Sequence, residues 1–217
     1  MNKAKTIIKQ REFCYSCYRP KSSCMCKYIN KLQTKTKFII LMHPKEFRKT
    51  KNGTGQFTKN SLCNSELFIG IDFTNHTKIN KILENKNNDC YLLYPSKKSL
   101  NLSKEKITSN KNIVIFIIDS TWACSKKMIK ESKNLQNLKM LSFDVKKISE
   151  FKIKKQPSEY CLSTIESTQY IINLLNKYGL ENISYKDLEN MTKPFNKMVE
   201  YQIQWAERRK DPRYKTY

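Results

Sequence analysis

Ile113-Val114-Ile115-Phe116-Ile117-Ile118-Asp119-Ser120-Thr121-Trp122 is the stretch that decides the fold. Six consecutive apolar residues stop at an aspartate, two hydroxyls and a tryptophan. The run is short, β-branched and sharply bounded, as in a strand buried on both faces. Such strands belong to parallel sheets, which keep their ligand sites just beyond the carboxyl ends of the strands. Asp119, Ser120, Thr121 and Trp122 therefore fall where an α/β enzyme holds its working groups. Residues 123–129 have helical character, so the unit reads strand, polar turn, helix.

Outward from this unit the same alternation recurs. Residues 37–42 read as a first strand, followed over 43–55 by a basic loop closed by Gly53 and Gly55. Two of the chain's four glycines lie there, which points to backbone that approaches something closely. A helix is expected over 57–68, a short strand over 68–71 and a helix near 78–84. Residues 89–94 read as a strand ending at a Pro95-Ser96 turn, 97–111 as a charged, mobile connection, and 139–143 as another strand. After a basic loop over 144–160, Ser163 and Glu166 have capping-box spacing, and Ile171, Leu174, Leu175 and Tyr178 follow at helical spacing. A last helix is expected over 194–209, with Pro194 in its first turn. Strands alternating with helices give one α/β domain, residues 31–217, with a mostly parallel sheet and flanking helices.

Charge bounds the partners. The chain has 42 Lys and Arg against 19 Asp and Glu, a net charge of +23, which favours a polyanion. Base composition can inflate lysine. The six arginines are less easily explained that way, and arginine grips phosphate bidentately and stacks on bases. No run of apolar residues reaches membrane-spanning length, and the start lacks a signal-like apolar core, so a cytoplasmic protein with reduced cysteines is expected.

Four of the eight cysteines sit together as Cys14, Cys17, Cys24 and Cys26. Two close thiol pairs joined by a turn suit tetrahedral zinc, and four thiolates close the site, which makes the metal structural. Residues 1–30 are thus expected to form a zinc-binding module. Cys63, Cys90, Cys124 and Cys161 read as small core residues.

Taken in order, several pieces resemble the DTW-domain family: the cysteine cluster, Met42-His43-Pro44-Lys45-Glu46, Asn52-Gly53-Thr54-Gly55, Tyr94-Pro95-Ser96, Asp119-Ser120-Thr121-Trp122, and Tyr160-Cys161-Leu162-Ser163-Thr164-Ile165-Glu166. The resemblance implies a tRNA-uridine aminocarboxypropyltransferase. Such an enzyme moves the 3-amino-3-carboxypropyl group of S-adenosylmethionine to N3 of a uridine in tRNA (acp3U) and releases methylthioadenosine. It also implies a SPOUT-like fold with a C-terminal knot. Two positions depart from the family pattern. Gln56 stands where an arginine is usual, so no phosphate or carboxylate contact is carried over to it. Ser120 replaces a frequent glycine and can add a hydrogen bond.

Chemistry then distributes roles. N3 of uridine must lose a proton before it attacks, so the site needs an acceptor, orientation of the donor and exclusion of water. Asp119 is the expected acceptor, with Glu166 as second candidate. The ordinary alternatives are a helix cap for Asp119 and a capping box for Glu166. Thr121 is assigned to the donor carboxylate or a cap, and Trp122 to stacking or core packing. Leu93, Tyr94, Pro95, Ser96, Cys161, Leu162, Ser163 and Thr164 are expected to line the donor pocket with Asp119 and Ser120. His43 and Glu46 follow the first strand. RNA contacts are expected from His43, Lys45, Arg48, Lys49 and Lys51, and from Trp205, Arg208, Arg209, Lys210, Arg213 and Tyr214. Asp119→Ala is expected to abolish transfer without unfolding, on the view that its turn faces solvent. A knotted tRNA methyltransferase and a non-catalytic zinc-containing RNA-binding protein are the competing readings.

Overall fold

A computed structural model describes residues 12–49, 53–145, 148–151 and 161–208. Six strands form one sheet: β1 (Lys37–Met42), β2 (Ser65–Ile69), β3 (Asn88–Leu93), β4 (Leu100–Asn101), β5 (Asn112–Asp119) and β6 (Lys139–Ser142). Every pairing among them is parallel, in the order β2-β1-β5-β3-β6-β4. The helices are α1 (Pro44–Lys49), α2 (Gly55–Asn60), α3 (Thr77–Glu84), α4 (Trp122–Glu131), α5 (Lys133–Gln136), α6 (Thr164–Lys177), α7 (Tyr185–Met191) and α8 (Lys193–Arg208).

The apolar run beginning at Ile113 lies in β5, between β1 and β3, and its side chains feed two cores. Ile113, Ile115 and Ile117 join Phe38, Ile40 and Phe57 with residues of α6, α7 and α8 on one face. Val114 and Phe116 join Ile39, Leu41, Leu92, Ile79, Met128 and Leu135 on the other. This period-two division explains why the strand shows no polar alternation: both of its faces are covered. Because all strands run the same way, Met42, Leu93, Asp119 and Ser142 end at one edge of the sheet. The order also reverses around β5, the geometry that opens a ligand crevice. Just past α6 and its C-cap Tyr178, Gly179 has a φ of +71°, the left-handed conformation common there.

Several expectations are corrected. The segment 57–68 is helical only to Asn60, because the Ser65 hydroxyl donates to the carbonyls of Lys59 and Leu62 and the next residues pair with β1. The loop after His43 contains α1, with Pro44 at its first position. Residues 97–111 are anchored through β4 and through Leu102 and Ile107, both buried among the core residues. Of the scattered cysteines, Cys63 is exposed and Cys90, Cys124 and Cys161 are only partly buried. Residues 146, 147 and 152–160 of the expected basic loop lie outside the described residues. Among the described residues no helix is long and apolar enough to cross a membrane.

Candidate active site

At the carboxyl edge of the sheet lies a cavity of about 660 Å³. Strand ends supply Leu93, Tyr94 and Pro95 after β3, Asp119 and Ser120 at β5, and Ser142 and Phe143 at β6. Two helix starts face it: Thr121, Trp122 and Ala123 of α4, and Ser163 and Thr164 of α6, with Cys161 and Leu162 before them. Glu46, Gly53 and Thr54 complete one wall. Helix N-termini carry partial positive charge, and although Thr121 caps α4 and the Ser163–Glu166 box caps α6, both starts bring that charge to the cavity beside the Asp119 carboxylate.

Asp119 is the pivot. It is only 6% exposed, not on a solvent-facing turn as expected, yet it borders the cavity. Its Oδ1 accepts a 2.5 Å hydrogen bond from Thr164 Oγ1, and its carbonyl accepts from the His43 N–H at 3.0 Å. The cap of α4 is Thr121, whose Oγ1 accepts from the Cys124 N–H at 3.4 Å, so the Asp119 side chain is not spent on that helix. The Ser120 hydroxyl donates to the Thr121 carbonyl at 3.1 Å, the added hydrogen bond that a glycine there would lack. Trp122 is 45% exposed and meets Tyr94 edge-on, ring centroids 6.1 Å apart, leaving much of its indole uncovered.

Gly55 explains one glycine of the Gly53-Thr54-Gly55 turn. A Cβ there would lie 2.3 Å from Asp119 Oδ2 and 2.9 Å from Met42 Cε. Only glycine lets the start of α2 pass beside the carboxylate. Gly55→Ala should therefore displace Asp119, cost about 1–3 kcal/mol of stability as overpacking does, and lower turnover disproportionately. Thermal melts beside initial rates check this, and a variant matching the parent in both refutes the close-approach role.

Glu166 does not line the cavity. Its Oε2 accepts from the Ser163 N–H at 2.8 Å, the Ser163 hydroxyl at 2.6 Å and the Ser149 hydroxyl at 2.8 Å, and its Oε1 accepts from the Glu150 N–H at 2.8 Å. The capping-box spacing thus serves a larger task, pinning the 148–151 segment to the start of α6. We expect Glu166→Gln to lower stability by about 1–3 kcal/mol, the cost of weakening charge-assisted bonds in a buried site. At a temperature where both proteins are folded, turnover should fall less than ten-fold, about the level separating support from general-base loss. A hundred-fold loss there would restore Glu166 as base.

Other expected site residues separate. Ser96 is exposed, does not line the cavity, and is engaged in a turn in which Ser99 Oγ donates to its carbonyl at 2.8 Å. His43 is buried, with Nδ1 accepting from the Lys45 N–H at 3.1 Å, so its imidazole is not presented to a macromolecule at the surface. Burial, with Lys45 nearby, pushes it below the ordinary histidine range. Lys45 and Arg48 are exposed on α1, and Trp205, 39% exposed, and Arg208 lie on the last turns of α8. The Lys49 side chain, Lys51, Arg209, Lys210, Arg213 and Tyr214 lie outside the described residues.

The four cysteines converge. Their sulfurs all lie within 4.8 Å of one another, with Cys14–Cys26 at 3.8 Å and Cys17–Cys24 at 3.7 Å. A metal about 2.3 Å from each of four sulfurs sets them about 3.8 Å apart, so the cluster can hold a tetrahedral ion and fits zinc. The backbone N–H of Cys17 draws the Cys14 thiol down to about 7, whereas burial pushes the thiols of Cys17 and Cys26 up. Arg19, within this knuckle, reaches inward. It is 8% exposed, its Nη2 donates to the Gly53 carbonyl at 3.1 Å, and its guanidinium lies 3.9 Å from the centre of the Phe57 ring. Burial lowers its pKa to about 10, against the opposing pull of the neighbouring thiolates. Gln56 does not line the cavity; its Nε2 donates to the Ser16 carbonyl at 3.1 Å, as does Asn60 Nδ2 at 3.0 Å. The knuckle is thus tied to the turn that passes Asp119, contacts that no spacing in the sequence signalled.

Fold and site together define an α/β protein with a ligand cavity at the carboxyl edge of a parallel sheet, bordered by a buried aspartate and joined to a thiol knuckle. The DTW domain family model matches residues 11–203, and the chain belongs to that family. It is 24% identical over 202 residues to tRNA-uridine aminocarboxypropyltransferase 2 of Mus musculus, covering 90% of this chain and 65% of that protein. It is 26% identical over 202 residues to tRNA-uridine aminocarboxypropyltransferase 2 of Drosophila melanogaster, covering 89% of this chain and 76% of the relative. A match to tRNA-uridine aminocarboxypropyltransferase A of Arabidopsis thaliana is 28% identical over 138 residues, 57% of this chain and 52% of that one. The chain thus spans just under two thirds of the length of the mouse relative. No solved structure gives a significant match.

Proposed function

We propose that this chain transfers the 3-amino-3-carboxypropyl group of S-adenosylmethionine to N3 of a uridine in tRNA. The observation that carries the reading is the buried Asp119 carboxylate bordering a cavity that two helix N-termini face. The donor's tail bears a carboxylate, an ammonium and a sulfonium, and that arrangement is complementary to it: helix ends for the anion, a carboxylate for the cations. About 660 Å³ falls within the usual range for a pocket holding one small molecule. The names of the relatives and the charge of +23 support tRNA as the second substrate.

The donor is a co-substrate, consumed at each turnover. N3 of uridine forms a bond to the γ-carbon of the methionyl chain as the γ-carbon–sulfur bond breaks. The electron pair passes to sulfur, which leaves neutral as methylthioadenosine. The N3 proton goes to Asp119, which Thr164 and the Gly55 turn hold in place. Thr121 and the start of α4 orient the donor, and Trp122 with Tyr94 forms a face for a base. Zinc at the four cysteines is assigned a structural role, and the knot carried by the family resemblance belongs to the same proposal.

Incubating the protein with tRNA and donor labelled separately in the methyl and carboxyl positions tests this. Carboxyl label in RNA, with methyl label in free methylthioadenosine, is the expected result. Methyl label in RNA would identify a methyltransferase instead, and no label in RNA would identify a binding protein.

A further inference from the structure

The thiol knuckle carries aromatic rings that the fold does not cover. Tyr15 is 92% exposed and Tyr18 59%, and both flank Cys17 in the first turn. Tyr18 has a φ of +56°, a left-handed backbone that glycine takes freely and a tyrosine does not. A turn requiring this conformation is best served by glycine, so something other than the turn's geometry accounts for a tyrosine. Its ring leans edge-on against Phe47 of α1, centroids 5.4 Å apart, and Phe47 is itself 42% exposed. Among the described residues neither ring belongs to a core cluster.

The position of this pair is informative. Glu46, the residue before Phe47, lines the cavity, so α1 carries the Phe47 ring one position along the chain from the cavity wall. Lys45 and Arg48 flank them on α1, both exposed. Of the acids close in sequence, Glu12 pairs with Lys21 at 2.8 Å and Glu46 lines the cavity. Exposed rings interleaved with cations suit unpaired nucleotides, whose bases offer π faces and whose phosphates offer charge. A protein partner would more often call for a contiguous apolar patch.

We propose that Tyr15, Tyr18 and Phe47 form a stacking ridge for unpaired nucleotides flanking the base that enters the cavity. The ridge favours RNA that offers unpaired nucleotides there over fully paired RNA, and the inference rests on the RNA-modifying reading above. It adds a sequence-tolerant grip, while Lys45 and Arg48 hold the backbone.

The test uses the full chain, zinc-loaded, with bulk tRNA as probe across a salt series. Tyr18→Gly relieves the left-handed strain, so it should keep its zinc and melt no lower than the parent. It should nevertheless bind tRNA about ten-fold more weakly, the effect of one lost base stack, with an unchanged salt slope. Phe47→Leu, outside the knuckle, keeps an apolar contact for Tyr18 but removes the π face, and should weaken binding comparably. Arg48→Ala should instead flatten the salt slope by about one phosphate contact. Unchanged tRNA affinity in both Tyr18→Gly and Phe47→Leu would overturn the ridge, and would leave the transferase reading standing if the parent binds tRNA. Failure of the parent to bind tRNA would overturn both.

Discussion

Asp119→Asn should fold like the parent and turn over about 10²–10⁴-fold more slowly, the usual scale for losing a positioned proton acceptor. Asparagine is nearly isosteric, and its amide oxygen can still accept the bond from Thr164 that now spans 2.5 Å. What it cannot do is take a proton or offer a negative charge. Asp119→Ala is the less clean experiment, because the residue is buried. It would leave the Thr164 hydroxyl without its acceptor and open a void beside Gly55, costing about 1–3 kcal/mol before any chemistry is considered. Rates of methylthioadenosine release at saturating donor and tRNA, with thermal melts alongside, separate the two effects. A folded Asp119→Asn protein within about three-fold of parental turnover would remove Asp119 from catalysis, since general-base loss is far larger.

The second large effect concerns the metal. Cys17 is the buried member of the four, so Cys17→Ser should reduce bound zinc from about one ion per chain to near zero by elemental analysis. A structural zinc contributes folding free energy outright, about 10–16 kcal/mol of apparent binding in small zinc modules. Losing it should therefore unfold the knuckle and open its backbone at Lys21 and Lys27, whose side chains are already exposed, to tryptic cleavage. The consequence reaches the site. Arg19 holds the Gly53 carbonyl and Ser16 accepts from Gln56 and Asn60, so the turn beside Asp119 loses three tethers at once. We expect turnover to drop by at least ten-fold, about 1.4 kcal/mol of lost positioning. Arg19→Lys should retain zinc while losing the planar stack on Phe57, and should show part of the same drop. Parental zinc content in Cys17→Ser would refute the ligand assignment. Parental turnover in a zinc-free protein would refute the coupling.

What could be read from the chain and what could not divide along physical lines. The strand β1 and the apolar run within β5 were legible because each has a pure apolar signature, and β5 needed no partner to announce that it is covered twice. The four cysteines were legible because ligand spacing is local. The strand-turn-helix unit at Asp119–Trp122 was legible because polar residues stop an apolar run abruptly there. Segments whose state depends on distant partners were not. Ser65–Ile69 has a composition that also suits a helix and becomes a strand by pairing with β1. Leu100, Leu102 and Ile107 are apolar anchors hidden among lysines. His43 looked like a surface group and is buried by the packing of strand ends around it. Glu166 could not be separated from Asp119 by sequence. Ser149 and Glu150, which occupy it, lie some sixteen positions away. Arg19 read as one more cation in a basic chain, and its burial against Phe57 arises only once knuckle and sheet are docked.

A crystal structure of the protein with S-adenosylmethionine would bear on these points together. The donor should lie between Tyr94, Trp122 and the 161–164 segment, with its carboxylate toward the start of α4 or α6 and its γ-carbon facing the open side beside Asp119. A donor bound elsewhere, or in this cavity with its methyl group and not its γ-carbon facing that side, would contradict the account.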